Sequence, residues 1–97
     1  MNGGVKMTEA DKIEIERLRK EIDKCDDEIF KALRIRCSLS YLIGLRKKNS
    51  NIPIVDNDRF TKMVEDKVKT FSGYHLHESF IRKIYNVIHK EFCKLQK

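Results

Sequence analysis

Residues 18–47, LRKEIDKCDDEIFKALRIRCSLSYLIGLRK, decide the fold of this chain. They lie in a proline-free segment that extends from about residue 8 to residue 48. Alternating intervals of three and four residues separate Ile15, Leu18, Ile22, Cys25, Ile29, Ala32, Arg36, Leu39 and Ile43. This heptad-like stripe predicts one long helix that packs against other helices along its length. Arg36 stands where the stripe calls for an apolar side chain, so we expect an anionic group to meet its guanidinium.

The chain has 97 residues, and we expect one all-α domain, residues 8–97, preceded by a disordered leader, residues 1–7. No segment approaches the ~20 apolar residues of a membrane span, and residues 1–12 lack the apolar run of a signal peptide. We therefore expect a cytoplasmic protein without membrane association. The net charge of +6 suits a nucleic acid, an acidic surface or a small polyanion, without choosing among them.

The predicted first helix is too long for the rest of the chain to cover. Its ~41 residues would span ~60 Å. A compact domain of 97 residues is only ~30–35 Å across. The helix therefore either breaks, with Gly44 as the candidate position, or is covered by a second copy of the chain. Because the stripe is unbroken, we expect an intertwined homodimer.

Two shorter helices follow the loop around Pro53. Asp56 to Asp58 offer N-caps for a second helix that ends near Phe71, before Gly73, and a third helix is expected from about residue 79 to residue 95. Cys25 falls on the apolar stripe and is predicted to be a buried, reduced thiol.

The histidines do not predict a metal site. His75 and His77 form an H-x-H in a connector, and His89 stands alone, so a third ligand at suitable spacing is missing. A solvated loop is the better interpretation of the H-x-H, and the sequence gives no reason to expect a metal or a cofactor.

Basic side chains on the first helix predict a site for a small anion. Arg36 and Lys47 are three helical turns apart to within ~20°, so they share a face at ~16 Å along the axis. Arg19 lies ~25 Å from Arg36 and ~100° around the helix, so only the partner subunit's Arg19 could reach the same ligand. Asp56 and Arg59 begin the second helix, and Gln96 follows the third. Such a cluster, without a nucleophile or a metal, suits binding and electrostatic stabilisation.

The same residues also admit structural interpretations. Arg36 could fix the register of a coiled-coil seam by pairing with a carboxylate such as Asp26 of a neighbouring helix, an interpretation that the stripe alone leaves equally open. Asp56 alone is typical of an N-cap. Lys47, Arg59 and Gln96 are of types that are usually solvated at helix ends.

The polar positions together resemble a known family. The arrangement LRxxIDxxDxxIxxxLxxR at residues 18–36 is followed by Lys47, by IPIxDxxR at residues 52–59 and by Gln96. This resembles the all-helical AroQ class of chorismate mutases, which are isomerases. The resemblance implies an intertwined homodimer with active sites built from both chains. It also implies the cofactor-free Claisen rearrangement of chorismate, a dianion, to prephenate on the route to phenylalanine and tyrosine.

The resemblance implies a role for each polar residue. Arg36 and the partner subunit's Arg19 would bind the two carboxylates of the substrate. Lys47 and Gln96 would donate hydrogen bonds to the ether oxygen, which gains negative charge as its bond to carbon breaks. Asp56 would accept from the ring hydroxyl, while Arg59 would support the carboxylate end and orient Asp56.

Two positions depart from the family pattern, and we expect both to contact the substrate. Phe60 stands where relatives commonly have a Glu that helps to hold the ring hydroxyl, and Phe92 where they often have a small polar residue. These departures raise isochorismate pyruvate lyase, a relative of the same fold, as an alternative. That enzyme generally lacks the Asp that matches Asp56, so the mutase is favoured.

A basic helical module that binds nucleic acid is a third, more distant interpretation. It requires a continuous basic stripe on the surface. Acidic residues interrupt the basic ones along the first helix, as in EIDKCDDE at residues 21–28. We therefore expect a small-molecule substrate and no nucleic-acid partner.

Overall fold

The computed structural model of the chain describes residues 6–53 and 56–96, which form three α-helices. Helix α1 is Glu9–Ser50, α2 is Asn57–Phe71 and α3 is Glu78–Lys94. An isolated bridge pairs Gly73 with Leu76 between α2 and α3. The prediction of an all-α chain with a very long first helix is confirmed. None of the helices is long and apolar enough to cross a membrane. Most of the predicted leader, residues 1–5, lies outside the described residues.

Polar side chains cap the three helices at their N-termini. Thr8 Oγ1 accepts from the Asp11 N–H at 3.0 Å, and Asp11 Oδ2 accepts from the Thr8 N–H at 3.2 Å. This is a reciprocal capping box, with Asp in place of the usual Glu. Asp56 caps α2. His77 caps α3 by accepting from the Ser79 N–H, so it has a structural role beyond that of a solvated loop residue.

Helix α1 continues through Gly44, so the alternative of a break at this glycine is wrong. The helix ends at Ser50, followed by Asn51 with a φ of 56°. The Ile52 N–H donates to the Lys47 carbonyl at 3.2 Å. A left-handed residue with this bond across it is the Schellman ending, and Asn tolerates the left-handed conformation better than most residues.

The chain divides into two compact units, Met1–Ile35 and Arg36–Lys97. The first unit is the N-terminal portion of α1, and acidic and basic side chains one turn apart pair along it, as in Arg17 and Glu14 at 2.6 Å. Among the described residues of this unit, the apolar stripe has no second helix or strand to pack on. Leu18 is 45 % exposed and Ile22 is 58 % exposed.

Cys25 was predicted to be buried and is exposed in this chain. Its position on the stripe is as predicted. Its place on the stripe does not bring about burial within the described residues.

The second unit contains the C-terminal portion of α1 together with α2 and α3. Arg82 joins α3 to α2: its Nη1 and Nη2 donate to the two carboxylate oxygens of Glu65 at 2.8 and 3.2 Å. Arg82 also donates to Glu78 Oε1 from Nε and Nη2 at 3.0 and 2.8 Å. The hydrogen bonds and charge of Arg82 lower the pKa of Glu65. Val64 of α2 and Ile81 of α3 are buried apolar side chains of this unit.

Candidate active site

A cavity of about 340 Å³ lies in the second unit, between the C-terminal portion of α1, α2 and α3. On each helix the lining residues follow at intervals of one, three or four positions, as expected of one helical face. From α1 come Arg36, Leu39, Ser40, Ile43 and Lys47; from α2 and its cap come Asp56, Arg59, Phe60 and Met63; from α3 and the turn after it come Tyr85, His89, Phe92, Cys93 and Gln96. The cavity thus contains every predicted site residue except Arg19.

Arg36 and Lys47 line the cavity together, as their spacing on α1 predicted. Both side chains are half-buried. Two cations held at one partly buried cavity attract a small anion more strongly than the same charges in open solvent, because screening by water is reduced.

Asp56 and Arg59 belong to the first turn of α2. Asp56 Oδ1 accepts from the backbone N–H of Arg59 at 3.0 Å, so this carboxylate is both the N-cap of the helix and part of the cavity wall. The structural and the functional interpretation of Asp56 are therefore compatible. The cap fixes the direction of the carboxylate with one oxygen and leaves Oδ2 outside the capping hydrogen bond.

Gln96 follows α3 and is held by a turn in which its N–H donates to the Cys93 carbonyl at 3.1 Å. Its Oε1 is buried and has no hydrogen-bond partner among the described residues. A buried amide oxygen without a partner costs free energy. The backbone of Gln96 lies against Gly44 of α1, where a Cβ would be 2.5 Å from the Gln96 Cα.

Aromatic rings form the wall of the cavity that α2 and α3 provide. The rings of Phe60 and His89 stack with their centroids 4.0 Å apart and an interplanar angle of 26°. The centroids of the Phe60 and Tyr85 rings are 5.8 Å apart. The Arg36 guanidinium carbon lies over the Phe92 ring at 4.6 Å and 6.0 Å from the centre of the Tyr85 ring.

His89 is a cavity residue that the sequence reasoning missed. Burial, and then the positive charges of Arg36 and Lys47, lower its pKa below the usual 6.5, so the imidazole is neutral at pH 7. Its ring nitrogens lie 3.7 and 3.8 Å from Cys93 Sγ. The sequence does contain a signal for it. Tyr85, His89, Phe92 and Gln96 follow one another at intervals of four, three and four residues, which places them in one helical row.

Arg19 lies in the first unit and is not among the residues that line the cavity. Its Nη1 is 3.5 Å from Glu16 Oε1, and its side chain is 69 % exposed. Within the described residues, the cavity therefore contains the other predicted Arg, Lys, Asp and Gln side chains but not Arg19.

Known proteins of similar sequence indicate the family of this chain. The family model for chorismate mutase type II matches residues 18–97. A 4-amino-4-deoxychorismate mutase of Streptomyces venezuelae is 32 % identical over 91 residues, which are 93 % of this chain and 85 % of that protein. A bifunctional chorismate mutase/prephenate dehydratase of Aquifex aeolicus is 33 % identical over 88 residues, 87 % of this chain and 24 % of that protein.

A second 4-amino-4-deoxychorismate mutase, from Streptomyces pristinaespiralis, is 23 % identical over 82 residues, 84 % of this chain and 64 % of that protein. No solved structure matches the chain. The family match covers all three helices of the site, and it confirms the resemblance drawn from the motifs. The chain belongs to the chorismate mutase type II family of isomerases.

Proposed function

We propose that the protein converts chorismate to prephenate by a Claisen rearrangement. The observation that carries the proposal is the single cavity that Arg36, Lys47 and Gln96 line together. Arg36 binds a substrate carboxylate. Lys47 and Gln96 donate hydrogen bonds to the ether oxygen, since an amide can turn its N–H toward an acceptor.

The rearrangement needs no acid, base or nucleophile from the protein. The enolpyruvyl side chain has to be held over the ring in a reactive conformation, and the developing charge on the ether oxygen has to be stabilised. Fixed cationic and amide donors around a partly buried cavity perform both tasks, because their orientation is already established before the reaction begins.

A second copy of the chain completes each site in this proposal. The apolar stripe of the first unit is exposed, and a homodimer would bury it. The partner subunit's Arg19 would then bind the second substrate carboxylate. It would lose its exposed contact with Glu16 and gain a charge-assisted hydrogen bond in the site. In this proposal the product enters phenylalanine and tyrosine synthesis in the cytoplasm.

The second candidate substrate is 4-amino-4-deoxychorismate, in which an amino group replaces the ring hydroxyl. Two relatives of this chain carry the name of that mutase. The cavity has a feature that suits an ammonium group: the Asp56 carboxylate and the Phe60 ring stand one turn apart on α2, and both line the wall. A carboxylate pairs with an ammonium, and an aromatic face attracts it.

Parallel incubations with chorismate, 4-amino-4-deoxychorismate and isochorismate test these proposals. We expect chorismate to be consumed with formation of prephenate. The Arg36→Ala variant should lose about 10²-fold or more in kcat/KM, the cost of removing one charge-stabilising donor. Arg46→Ala is the matched control, because Arg46 is exposed on the same helix and does not line the cavity.

Each other outcome identifies a different function. Faster turnover of the amino substrate assigns the protein to the second candidate. Release of pyruvate from isochorismate alone assigns it to the lyase reaction. If none of the three is consumed by the dimeric protein, the proposed activity is wrong.

A further inference from the structure

The Arg36 guanidinium is held by aromatic rings. Its central carbon lies over the Phe92 ring at 4.6 Å and 6.0 Å from the centre of the Tyr85 ring. Attraction between a guanidinium and a ring face is strong within about 6 Å, so Phe92 makes the main contact and Tyr85 a marginal one. Within residues 6–53 and 56–96, no carboxylate forms an ion pair with Arg36.

An aromatic contact and a carboxylate contact use different parts of a guanidinium. A ring attracts its flat face, whereas a carboxylate takes the N–H groups at its edge. A protein carboxylate beside Arg36 would therefore compete with an anionic ligand for the same donors. The Phe92 ring orients the guanidinium and leaves its edge donors and its full charge available.

We propose that Phe92 is a positioning residue for Arg36: its ring holds the guanidinium at the cavity without occupying the donors that bind the substrate carboxylate. The identity of that carboxylate rests on the proposed function, whereas the contact itself does not. Phe92 thus acts through Arg36, and it replaces the direct contact with a carboxylate that a small polar residue would make.

The test replaces Phe92 with phenylalanines carrying one, two, three and five ring fluorines. Fluorine withdraws charge from the ring face while changing the size of the side chain little, so the attraction for Arg36 weakens in steps. Because the carboxylate is bound in both the ground state and the transition state, KM for chorismate should rise stepwise while kcat changes less. Across the series KM should rise by about two- to thirtyfold, which corresponds to the range of strengths of contacts between a cation and an aromatic ring.

Two further variants separate positioning from structural support. Phe92→Tyr keeps the ring face and should retain the KM of the unaltered protein, whereas Phe92→Leu should raise it. A loss of correctly folded protein would instead lower apparent kcat at constant KM. The same fluorinated residues at Phe80 are the control, since Phe80 is exposed on α3 and does not line the cavity.

NMR of the Arg36 side chain tests the contact without any turnover. A guanidinium over a ring face has its Nε–H signal shifted upfield, and Arg36→Lys identifies the signal. Phe92→Leu should remove the shift and increase the mobility of the side chain. An upfield shift in a protein that consumes no chorismate would uphold the positioning role and refute only the proposed function. The proposal would be overturned if the Nε–H signal or the KM were the same in the Phe92→Leu protein and in the fluorinated proteins as in the unaltered protein.

Discussion

Gly44 of α1 and Gln96 after α3 are in direct backbone contact. A Cβ on Gly44 would lie 2.5 Å from the Gln96 Cα and 3.0 Å from its carbonyl carbon and oxygen. Real Cβ atoms do not approach backbone so closely, so any side chain at residue 44 displaces Gln96. We expect Gly44→Ala to lower the free energy of unfolding by ~1–3 kcal/mol, the usual cost of overpacking. In the proposed function Gln96 is a catalytic group, so the variant should also lower kcat/KM by ~10²-fold, the size of effect that small displacements of such groups have.

Gly73→Ala is the matched control for this prediction. A Cβ there meets nothing within 4 Å, but Gly73 has a φ of +157°, which other residues rarely adopt. The added methyl group should lower stability through backbone strain and leave kcat/KM unchanged. Thermal unfolding measures the stability of both variants, and steady-state kinetics measure their kcat/KM. Equal losses of kcat/KM in Gly44→Ala and Gly73→Ala would contradict the prediction.

Gln96→Leu should separate activity from stability. The buried Oε1 of Gln96 has no partner among the described residues, so its replacement by an apolar group of similar size removes an unpaired acceptor. We expect a free energy of unfolding that is unchanged or higher by up to ~1 kcal/mol, together with a ~10²-fold loss of kcat. Denaturant titration and kinetics measure the two quantities. A clear loss of stability would show that the oxygen has a partner in solution.

Asp56→Asn tests the charge of the cavity wall without removing the helix cap. Asn and Asp are equally good N-caps, so the stability of α2 should be retained within ~0.5 kcal/mol. If the carboxylate recognises the ring substituent, turnover of 4-amino-4-deoxychorismate should fall more than turnover of chorismate, because an ammonium loses an ion pair and a hydroxyl only a hydrogen bond.

Asp56→Ala is the companion variant, since it removes both the charge and the cap. It should cost an additional ~0.5–2 kcal/mol of stability. Similar losses of kcat/KM on both substrates in Asp56→Asn would refute a role in discriminating between them.

His89 should make stability depend on pH. Its pKa in the folded chain is below the usual 6.5, so between these two values the unfolded chain binds a proton that the folded chain does not. The free energy of unfolding therefore falls as the pH falls through this window, and levels off below the folded pKa. Urea titrations from pH 7.5 to pH 5 measure the slope, which His89→Gln should reduce.

Hybrid sites test the homodimer and the role of Arg19. Arg19→Ala and Arg36→Ala proteins should each be nearly inactive. After their subunits exchange, mixed dimers should regain activity, because one of their two sites receives both arginines. Subunit exchange is followed by mass spectrometry of isotopically labelled chains. A mixture that exchanges and stays inactive would show that the sites are not shared.

The three helices and most residues that line the candidate site were predictable because both depend on local periodicity. The stripe from Ile15 to Ile43 predicted α1, and the spacing of Arg36 and Lys47 predicted that both would lie on one face of it. Asp56 predicted the start of α2, since an N-cap satisfies a backbone group that the helix leaves unpaired.

The parts that could not be predicted depend on contacts between helices. Gly44 was considered as a break, and only the position of Gln96 shows that it is a contact surface. His89 looked isolated in the sequence because the ring that stacks on it, Phe60, belongs to another helix. The exposure of Cys25 likewise could not be read from its place on the stripe, because burial depends on what packs against the helix.

The position of Gln96 after the last residue of α3 has a consequence for how the site is lost. A turn after α3 holds this residue, through the N–H bonds of Leu95 and Gln96 to the carbonyls of Phe92 and Cys93. Such a segment can open by itself while the helices stay folded. Fast hydrogen exchange at these two amides, against slow exchange in α2 and α3, would reveal a population of folded protein in which the candidate site is momentarily incomplete.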